Sequence, residues 1–283
     1  MNRTLFVTAL FCSLFSHALS AATLVQTFDT NPALAPSQTP NAWYVDRFAP
    51  AAFESVADPT GNPGLTGGNV LHHGISAADG LNNRPVPYNT SFYNTQGRSY
   101  AIPAPFNGPG TFWSVDLYVP SDWDSTGRRM AGMWAIGKNG ANGQSVFPII
   151  EFASDLADTN GDSTNGYFQY WDSSVGFVDI GLPTDFVYDE WYNAKLTFTG
   201  TSLDLEVKGA TGPSTNVLSL SDPFLDGTVL IENMILEGYN NATGVTYDIY
   251  WDNVTTLDLD PVPPPAPEPT SLALLALGAL GLA

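Results

Sequence analysis

The chain has 283 residues, with 28 acidic side chains against 9 Lys and Arg and a formal net charge of −19. Such a negative chain is a poor partner for nucleic acid, whose phosphates are bound by Lys and Arg. A content of 43% hydrophobic and 12% aromatic residues excludes general disorder.

The first 22 residues have the pattern of a secretory signal peptide. Arg3 supplies a positive start, an apolar run follows over 5–15, and small residues such as Ala18 and Ala22 provide a cleavage site. The only cysteine, Cys12, lies inside this segment. We therefore expect an exported protein without disulfides, stabilised by a packed core or by metal ions.

The following part of the chain predicts short strands separated by long loops. Residues 30–110 are rich in Pro, Gly and Asn. The short strands are expected near 23–29, 42–47, 53–57, 69–74 and 98–102.

Strand patterns dominate from residue 110 onward. Apolar and polar residues alternate, as in Leu203, Asp204, Leu205 and Glu206. Strands are predicted near 111–119, 130–137, 145–153, 166–172, 175–180, 192–198, 203–208, 228–238 and 245–252. Many strands with one apolar face each predict an all-β fold, a two-sheet antiparallel β-sandwich over 23–258.

The C-terminal end carries a different pattern. A Pro-rich linker over 259–266 leads into Pro267, Glu268 and Pro269, and the remaining residues to Ala283 form a short apolar segment without charge. Residues 267–283 resemble the PEP-CTERM sorting signal of Gram-negative bacteria. The arginine cluster that ends the family pattern does not follow Ala283, which leaves efficient sorting open.

The PEP-CTERM resemblance implies a location and a processing partner. It implies an exosortase-type enzyme that recognises the tail, transient membrane anchoring, and a final place at the cell surface or outside the cell. Proteins of this family are linked to exopolysaccharide production.

A second resemblance concerns the domain itself. The segments 24–29 and 247–254, together with a Trp-strand-turn-strand unit over 190–207, resemble the concanavalin A-like jelly rolls. Laminarinases, alginate lyases, legume lectins and many carbohydrate-binding modules share that fold. The resemblance also implies a structural calcium between the first and last strands, where Asp29 and Asp252 stand.

A further calcium candidate is a loop that places oxygen side chains at alternate positions. Asp158, Asn160 and Asp162 have the spacing by which one tight loop brings hard ligands to a cation. Ser163 and Gln169 stand where an EF-hand has Gly and Glu, so the loop is not an EF-hand. A polar hairpin loop without metal is the alternative.

Catalytic motifs are missing from the sequence. Laminarinase-like enzymes carry Glu-x-Asp-x-x-Glu on one strand, but Glu151 is followed by Ala153 and Leu156 at those spacings. We interpret His72 and His73 as polar loop or strand-edge residues. We therefore expect no enzyme.

Sugar binding needs accessible aromatic rings next to polar groups. Trp123 stands among Ser and Asp in a loop-like stretch, and Trp171 alternates with Gln169 on one strand. Tyr118 and Asp116 are expected to share a concave face with Trp171. A structural role for each of these residues is the alternative.

These expectations leave three classes of function. The first is an exported, non-catalytic surface or matrix protein that binds extracellular polysaccharide and is stabilised by calcium. The second is a divergent glycoside hydrolase or polysaccharide lyase, and the third is a purely structural biofilm or envelope protein. A cluster of Glu, Asp, Tyr or His on the concave face favours the second, and a face filled with apolar side chains favours the third.

Overall fold

A computed structural model of the whole chain describes residues 23–60, 68–124, 127–154, 166–172, 174–210, 218–222, 227–240 and 245–258. They belong to one compact unit, Ala22–Asp260. The predicted signal peptide, linker and sorting segment lie outside the described residues, as does the loop with Asp158, Asn160 and Asp162.

The described residues form strands almost throughout. The strands are β1 Thr23–Gln26, β2 Leu34–Ala35, β3 Trp43–Val45, β4 Ala52–Ala57, β5 Asn69–Ile75, β6 Thr95–Ala101, β7 Thr111–Val119, β8 Met130–Asn139, β9 Gln144–Val146, β10 Ile149–Ser154, β11 Gly166–Asp172, β12 Gly176–Gly181, β13 Glu190–Phe198, β14 Leu203–Gly209, β15 Leu218–Asp222, β16 Thr228–Tyr239 and β17 Tyr247–Asp258. Helical structure among them is limited to 3-10 turns, at Ala77–Asp79, Leu81–Asn83, Ser91–Tyr93 and Ser121–Trp123. None of these helices is long and apolar enough to span a membrane.

The strands form two sheets. Sheet A has the order β15-β14-β13-β7-β17-β5-β4, with β1 also paired to β17, and sheet B has the order β12-β11-β10-β8-β16-β6-β3-β2, with β9 also paired to β8. Every pairing except the short β2–β3 contact is antiparallel. The predicted two-sheet antiparallel jelly-roll sandwich is confirmed.

The core lies between the sheets and follows the alternation read from the sequence. Val115 and Leu117 of β7 face Phe152 of β10 and Leu236 of β16 in one buried cluster. Because successive side chains of a strand point to opposite faces, the intervening residues lie on the outer faces of the two sheets. The functional candidates are found on these outer faces.

The prediction that Trp123 is a loop residue available to sugars is wrong. Its ring is 1% exposed and packs against Phe152 and Tyr247. The 3-10 turn after Pro120 folds back onto the sandwich. A large indole that can reach a core gains more from burial than its polar neighbours lose.

Candidate functional site

A row of polar and glycine residues crosses the middle of sheet B on its outer face. The register pairs Gln169 with Glu151, Glu151 with Gly132, Gly132 with Glu237, and Glu237 with Gly97. Two carboxyl groups therefore lie on either side of one glycine. We call these five residues the carboxyl row.

The backbone separation of the two glutamates suits chemistry on a sugar chain. Each antiparallel step is about 5 Å, so the Cα atoms of Glu151 and Glu237 lie roughly 10 Å apart. Paired carboxyl groups that flank a glycosidic bond are separated by about 5–9.5 Å. Two long side chains on this row can reach such a separation.

Both glycines of the row are required by close packing. A Cβ on Gly132 would lie 2.5 Å from Nε1 of Trp134 and 2.9 Å from Cβ of Glu151. A Cβ on Gly97 would lie 2.6 Å from Oε2 of Glu237. Larger residues at either position would displace the carboxyl side chains.

Glu151 is buried but well supported by hydrogen bonds. Nε1 of Trp134 donates to one carboxyl oxygen at 2.9 Å, and Nε2 of Gln169 donates to the other. Burial raises the pKa of Glu151 to about 7, although these two hydrogen bonds and the charges of Arg128 and Arg47 act in the opposite direction. Near neutral pH, Glu151 therefore exists in both protonation states.

Glu237 is buried with less support. It is 0% exposed, and neither carboxyl oxygen has a hydrogen bond of ordinary geometry, although Asp46 and Thr95 lie close to it. Burial and then the charge of Asp46 raise its pKa well above the usual range, while Arg47 opposes the shift. Burial and the neighbouring Asp46 carboxylate therefore favour the neutral form of Glu237.

A three-layer stack lies over this part of the sheet. The guanidinium of Arg47 is 4.8 Å from the ring centroid of Trp134 and 4.7 Å from that of Phe92. Trp134 is buried next to Glu151, whereas Phe92 is 62% exposed. Glu151 is itself 2% exposed, so a ligand has to displace covering side chains to reach the row.

Aromatic and apolar side chains border the carboxyl row. Trp171 and Tyr167 lie on the same face of β11 as Gln169 and pack against the buried residues of that face, Met130, Trp134, Ile149, Ala153 and Ile235. The edge of the Trp171 ring contacts Phe177 on β12. Gln169 and Trp171 therefore share one face, as their spacing along the strand predicted. Glu151 lies next to them, although it was not predicted as a site residue.

Tyr118 and Asp116 do not share that face. Both lie on β7 of sheet A, alternating with the core residues Leu117 and Val119, so they face away from sheet B. The expectation of a common face with Trp171 is wrong because strand alternation does not reveal which sheet a strand joins. Asp116 instead accepts hydrogen bonds from Asn193 at 2.7 Å and Asn253 at 2.9 Å.

Asp252 is an unusual carboxyl on the outer face of sheet A. It pairs in register with Asp116, is 0% exposed, and neither carboxyl oxygen has a side-chain hydrogen-bond partner. Burial raises its pKa to about 7, and the charges of Asp116, Asp29 and Asp58 add to the shift. An orphaned acid among negative charges fits a cation, although the described residues contain no group of three or more acidic, His or Cys side chains close enough to hold a metal.

The two adjacent histidines are strand residues with different surroundings. His73 is in the core, where Nδ1 accepts from Trp251 and Nε2 lies 3.0 Å from the carbonyl oxygen of Gln96. Burial lowers its pKa to about 3, so it is neutral. His72 faces outward, and its Nε2 atom lies 2.7 Å from Oδ1 of Asp248.

Comparison with known proteins gives only remote likenesses. No family model matches the chain, and no curated protein is similar to it. Solved structures of similar architecture include a protein of unknown function from Shewanella oneidensis (12% identity, TM-score 0.47, covering 88% of this chain and 92% of that one). Others are a family 131 β-glucanase catalytic domain from Podospora anserina (13%, 0.38, 74% and 85%) and an apo transglycosylase (12%, 0.41, 87% and 87%). No substrate or residue role is carried over from these proteins.

The expectation that this chain is not an enzyme has to be corrected. Catalytic domains are among the solved structures that are similar to it. The expectation rested on carboxyl spacing along one strand. The carboxyl row brings Glu151 and Glu237 together across strands, which a motif within one strand does not detect.

The raised pKa of Glu151 predicts how stability changes with pH. Its pKa is raised from the usual 4.5 to about 7, so the neutral side chain stabilises the fold fully at low pH and this contribution is lost as the pH rises through 7. Between pH 5 and 8, the unfolding free energy of the wild type should fall by about 2 kcal/mol more than that of the Glu151→Gln variant, which has no titrating group at this position. Urea unfolding at several pH values measures this difference.

The exposed-face variant Glu206→Gln is the matched control. Glu206 lies on β14 of sheet A, 3.3 Å from Lys208 and away from the carboxyl row, so its replacement removes a carboxyl without touching Glu151. Gln169 can rotate its amide to accept a hydrogen bond from a glutamine at 151, which limits other damage. Identical pH profiles for Glu151→Gln and wild type would contradict the assignment.

Proposed function

We propose that this chain is a polysaccharide-active enzyme that cleaves or transfers glycosidic bonds at the carboxyl row of sheet B. The observation that carries the proposal is the placement of two buried carboxyls on either side of Gly132 on a face bordered by aromatic rings. Paired carboxyls are what acid-assisted glycosidic cleavage needs. Aromatic faces next to polar groups suit pyranose rings.

The different surroundings of the two carboxyls suggest their roles. Glu237 has no strong donor and its surroundings favour the neutral acid, which suits the group that gives a proton to the leaving oxygen. Glu151 receives two hydrogen bonds and lies near positive charge, which favours its anion and suits the base or nucleophile. In a catalytic pair of carboxyls, different surroundings make one group the acid and the other the base or nucleophile, which is how the two roles are assigned here.

The covering stack bears on substrate access. Trp134 offers an aromatic face beside the row, and Arg47 occupies that face in this structure. Replacement of Arg47 by a sugar ring would open the row and keep the indole covered. Gln169 and Trp134 hold Glu151 in place during this exchange.

Activity measurements on two conservative variants test the proposal. The full chain is incubated with neutral, acidic and sulfated polysaccharides, and new reducing ends or transfer products are measured. Glu151→Gln and Glu237→Gln should each lower turnover by about 10²–10⁴-fold, since a positioned acid or base contributes that much.

The same measurements on Glu206→Gln provide the control, with circular dichroism to confirm folding. That variant removes a carboxyl from sheet A and should keep wild-type turnover. Unchanged turnover in both row variants would overturn the proposal. Polysaccharide binding by the wild type with no turnover of any substrate would also count against it.

We also propose that a calcium ion stabilises the sandwich at Asp252, near Asp29. The buried, orphaned carboxylate and the negative charges of Asp116 and Asp58 support a cation there, with amide and backbone oxygens able to complete its ligands. The predicted loop with Asp158, Asn160 and Asp162 is a second candidate.

Thermal melting in calcium and in excess chelator tests the Asp252 site. A ligand that binds only the folded state adds about 2.7 kcal/mol at 100 times its Kd, so calcium should raise the Tm of the wild type. The rise should disappear in Asp252→Asn and persist in Asp204→Asn, a carboxyl on β14 of the same sheet. Equal melting in calcium and chelator would exclude the site, and loss of the rise only in Asp158→Asn would move it to the loop.

We further propose that the chain is exported and sorted through its tail. The signal-like segment 1–22 and the Pro267, Glu268, Pro269 motif support this, with an exosortase-type enzyme as the partner and the cell surface or the medium as the destination. Alanine replacement of the three motif residues should block tail processing in a Gram-negative host, as followed by immunoblot. Replacement of Pro263, Pro264 and Pro265 in the linker is the control, and unchanged processing in the motif variant would reject the signal.

A further inference from the structure

Three of the arginines of this chain act on the carboxyl row. The chain has only 9 Lys and Arg residues against 28 acidic ones. Arg47 and Arg128 act electrostatically on Glu151, and Arg47 and Arg84 act on Glu237.

Two of these three arginines are committed to holding the protein together. The Arg84 side chain donates to the backbone carbonyls of Asp79, Tyr93 and Asn240. Arg47 donates to Oγ1 of Thr95 at 3.2 Å and is held in the aromatic stack. Their donors already have structural partners.

Arg128 is different because no hydrogen bond to the described residues holds its guanidinium in place. Its guanidinium lies 5.0 Å from the ring centroid of Tyr239, and no hydrogen bond or ion pair joins it to another described residue. Its Nε atom is buried and unpaired. One buried donor without an acceptor is costly, and the half-buried guanidinium keeps its remaining donors accessible to a ligand with acceptor atoms.

The position of Arg128 relates it to the carboxyl row. Tyr239 follows Glu237 by two residues on the same face of β16, a distance of about 7 Å along the strand. Arg128 also acts electrostatically on Glu151, so it lies close to the row. A group bound at Arg128 would therefore belong to a sugar next to the one at the row.

We propose that Arg128 binds the carboxylate of a uronic acid residue, so that the substrate of the carboxyl row is an acidic polysaccharide. This inference rests on the proposed function of that row. A planar guanidinium pairs with a carboxylate through two parallel hydrogen bonds, and the Tyr239 ring holds the guanidinium plane in position. Because the chain carries a net charge of −19, a polyanion needs a local positive anchor to bind at all.

Binding of matched polysaccharide pairs tests the inference directly. Titration calorimetry with the full chain compares oligosaccharides of polygalacturonate and of alginate with their carboxyl-reduced counterparts, which keep the sugar units and lose the charge. At least one of the acidic forms should bind about 10- to 100-fold more tightly than its reduced form. Arg128→Gln should remove that preference, and Arg128→Lys should keep only part of it, since lysine has the charge without the fork.

Lys208→Gln removes a positive charge from sheet A and is the control, in which the preference should remain. Equal binding of acidic and reduced forms, or an unchanged preference in Arg128→Gln, would overturn the inference. Preference for a sulfated galactan over both uronates would overturn the carboxylate assignment and identify sulfate as the group that Arg128 binds.

Turnover separates this inference from the proposed function. Turnover of a neutral polysaccharide that depends on Glu151 and Glu237 but not on Arg128 would remove the uronate inference and leave the enzyme. Uronate binding that depends on Arg128, without any loss of turnover in the two row variants, would keep the uronate site and remove the catalytic role of the carboxyl row.

Discussion

The pairing register of β8 with its two neighbours is the constraint on which the candidate site depends. β8 lies between β10 and β16, and Gly132 is paired with Glu151 on one side and Glu237 on the other. Because side chains alternate with a period of two, a slip of one residue in either pairing would turn a carboxyl into the core. Core residues such as Phe152 and Leu236 fix the register, since a slip would bring them out of the sandwich.

The carboxyl row lowers the stability of the folded state. Two carboxyls are held away from water with raised pKa values, and glycine at two neighbouring positions makes room for them. A sandwich that needed only a packed outer face would gain by replacing these groups with apolar side chains. Perturbed titratable groups in such positions are typical of functional sites.

Charged side chains lie on the outer faces of both sheets. Sheet B carries the arginines that act on the carboxyl row, and sheet A carries the buried Asp252 and Asp116 as well as Lys208. The arginines suit a ligand with acceptor atoms and negative charge, whereas Asp252 suits a cation. The two candidate sites therefore lie on opposite faces of the sandwich.

The sequence predicted the architecture well because alternation is a local property. Val115 and Leu117 reveal the buried side of β7, and the turn residues reveal where strands end. The site was predicted only in part. Gln169 and Trp171 share a face because they share a strand, but the partner of Glu151 is Glu237, distant in the chain and joined to it only through the register of β8. Tyr118 was misplaced for the same reason, since alternation does not assign a strand to a sheet.

A crystal structure of the full-length Glu237→Gln variant with a bound uronate oligosaccharide tests the central claim most directly. The account predicts a sugar ring over Gly132, between residues 151 and 237, with the Arg47 guanidinium displaced from the Trp134 ring. A sugar bound elsewhere, for example on the outer face of sheet A near Tyr118, with the stack of Phe92, Arg47 and Trp134 still closed over the row, would contradict it.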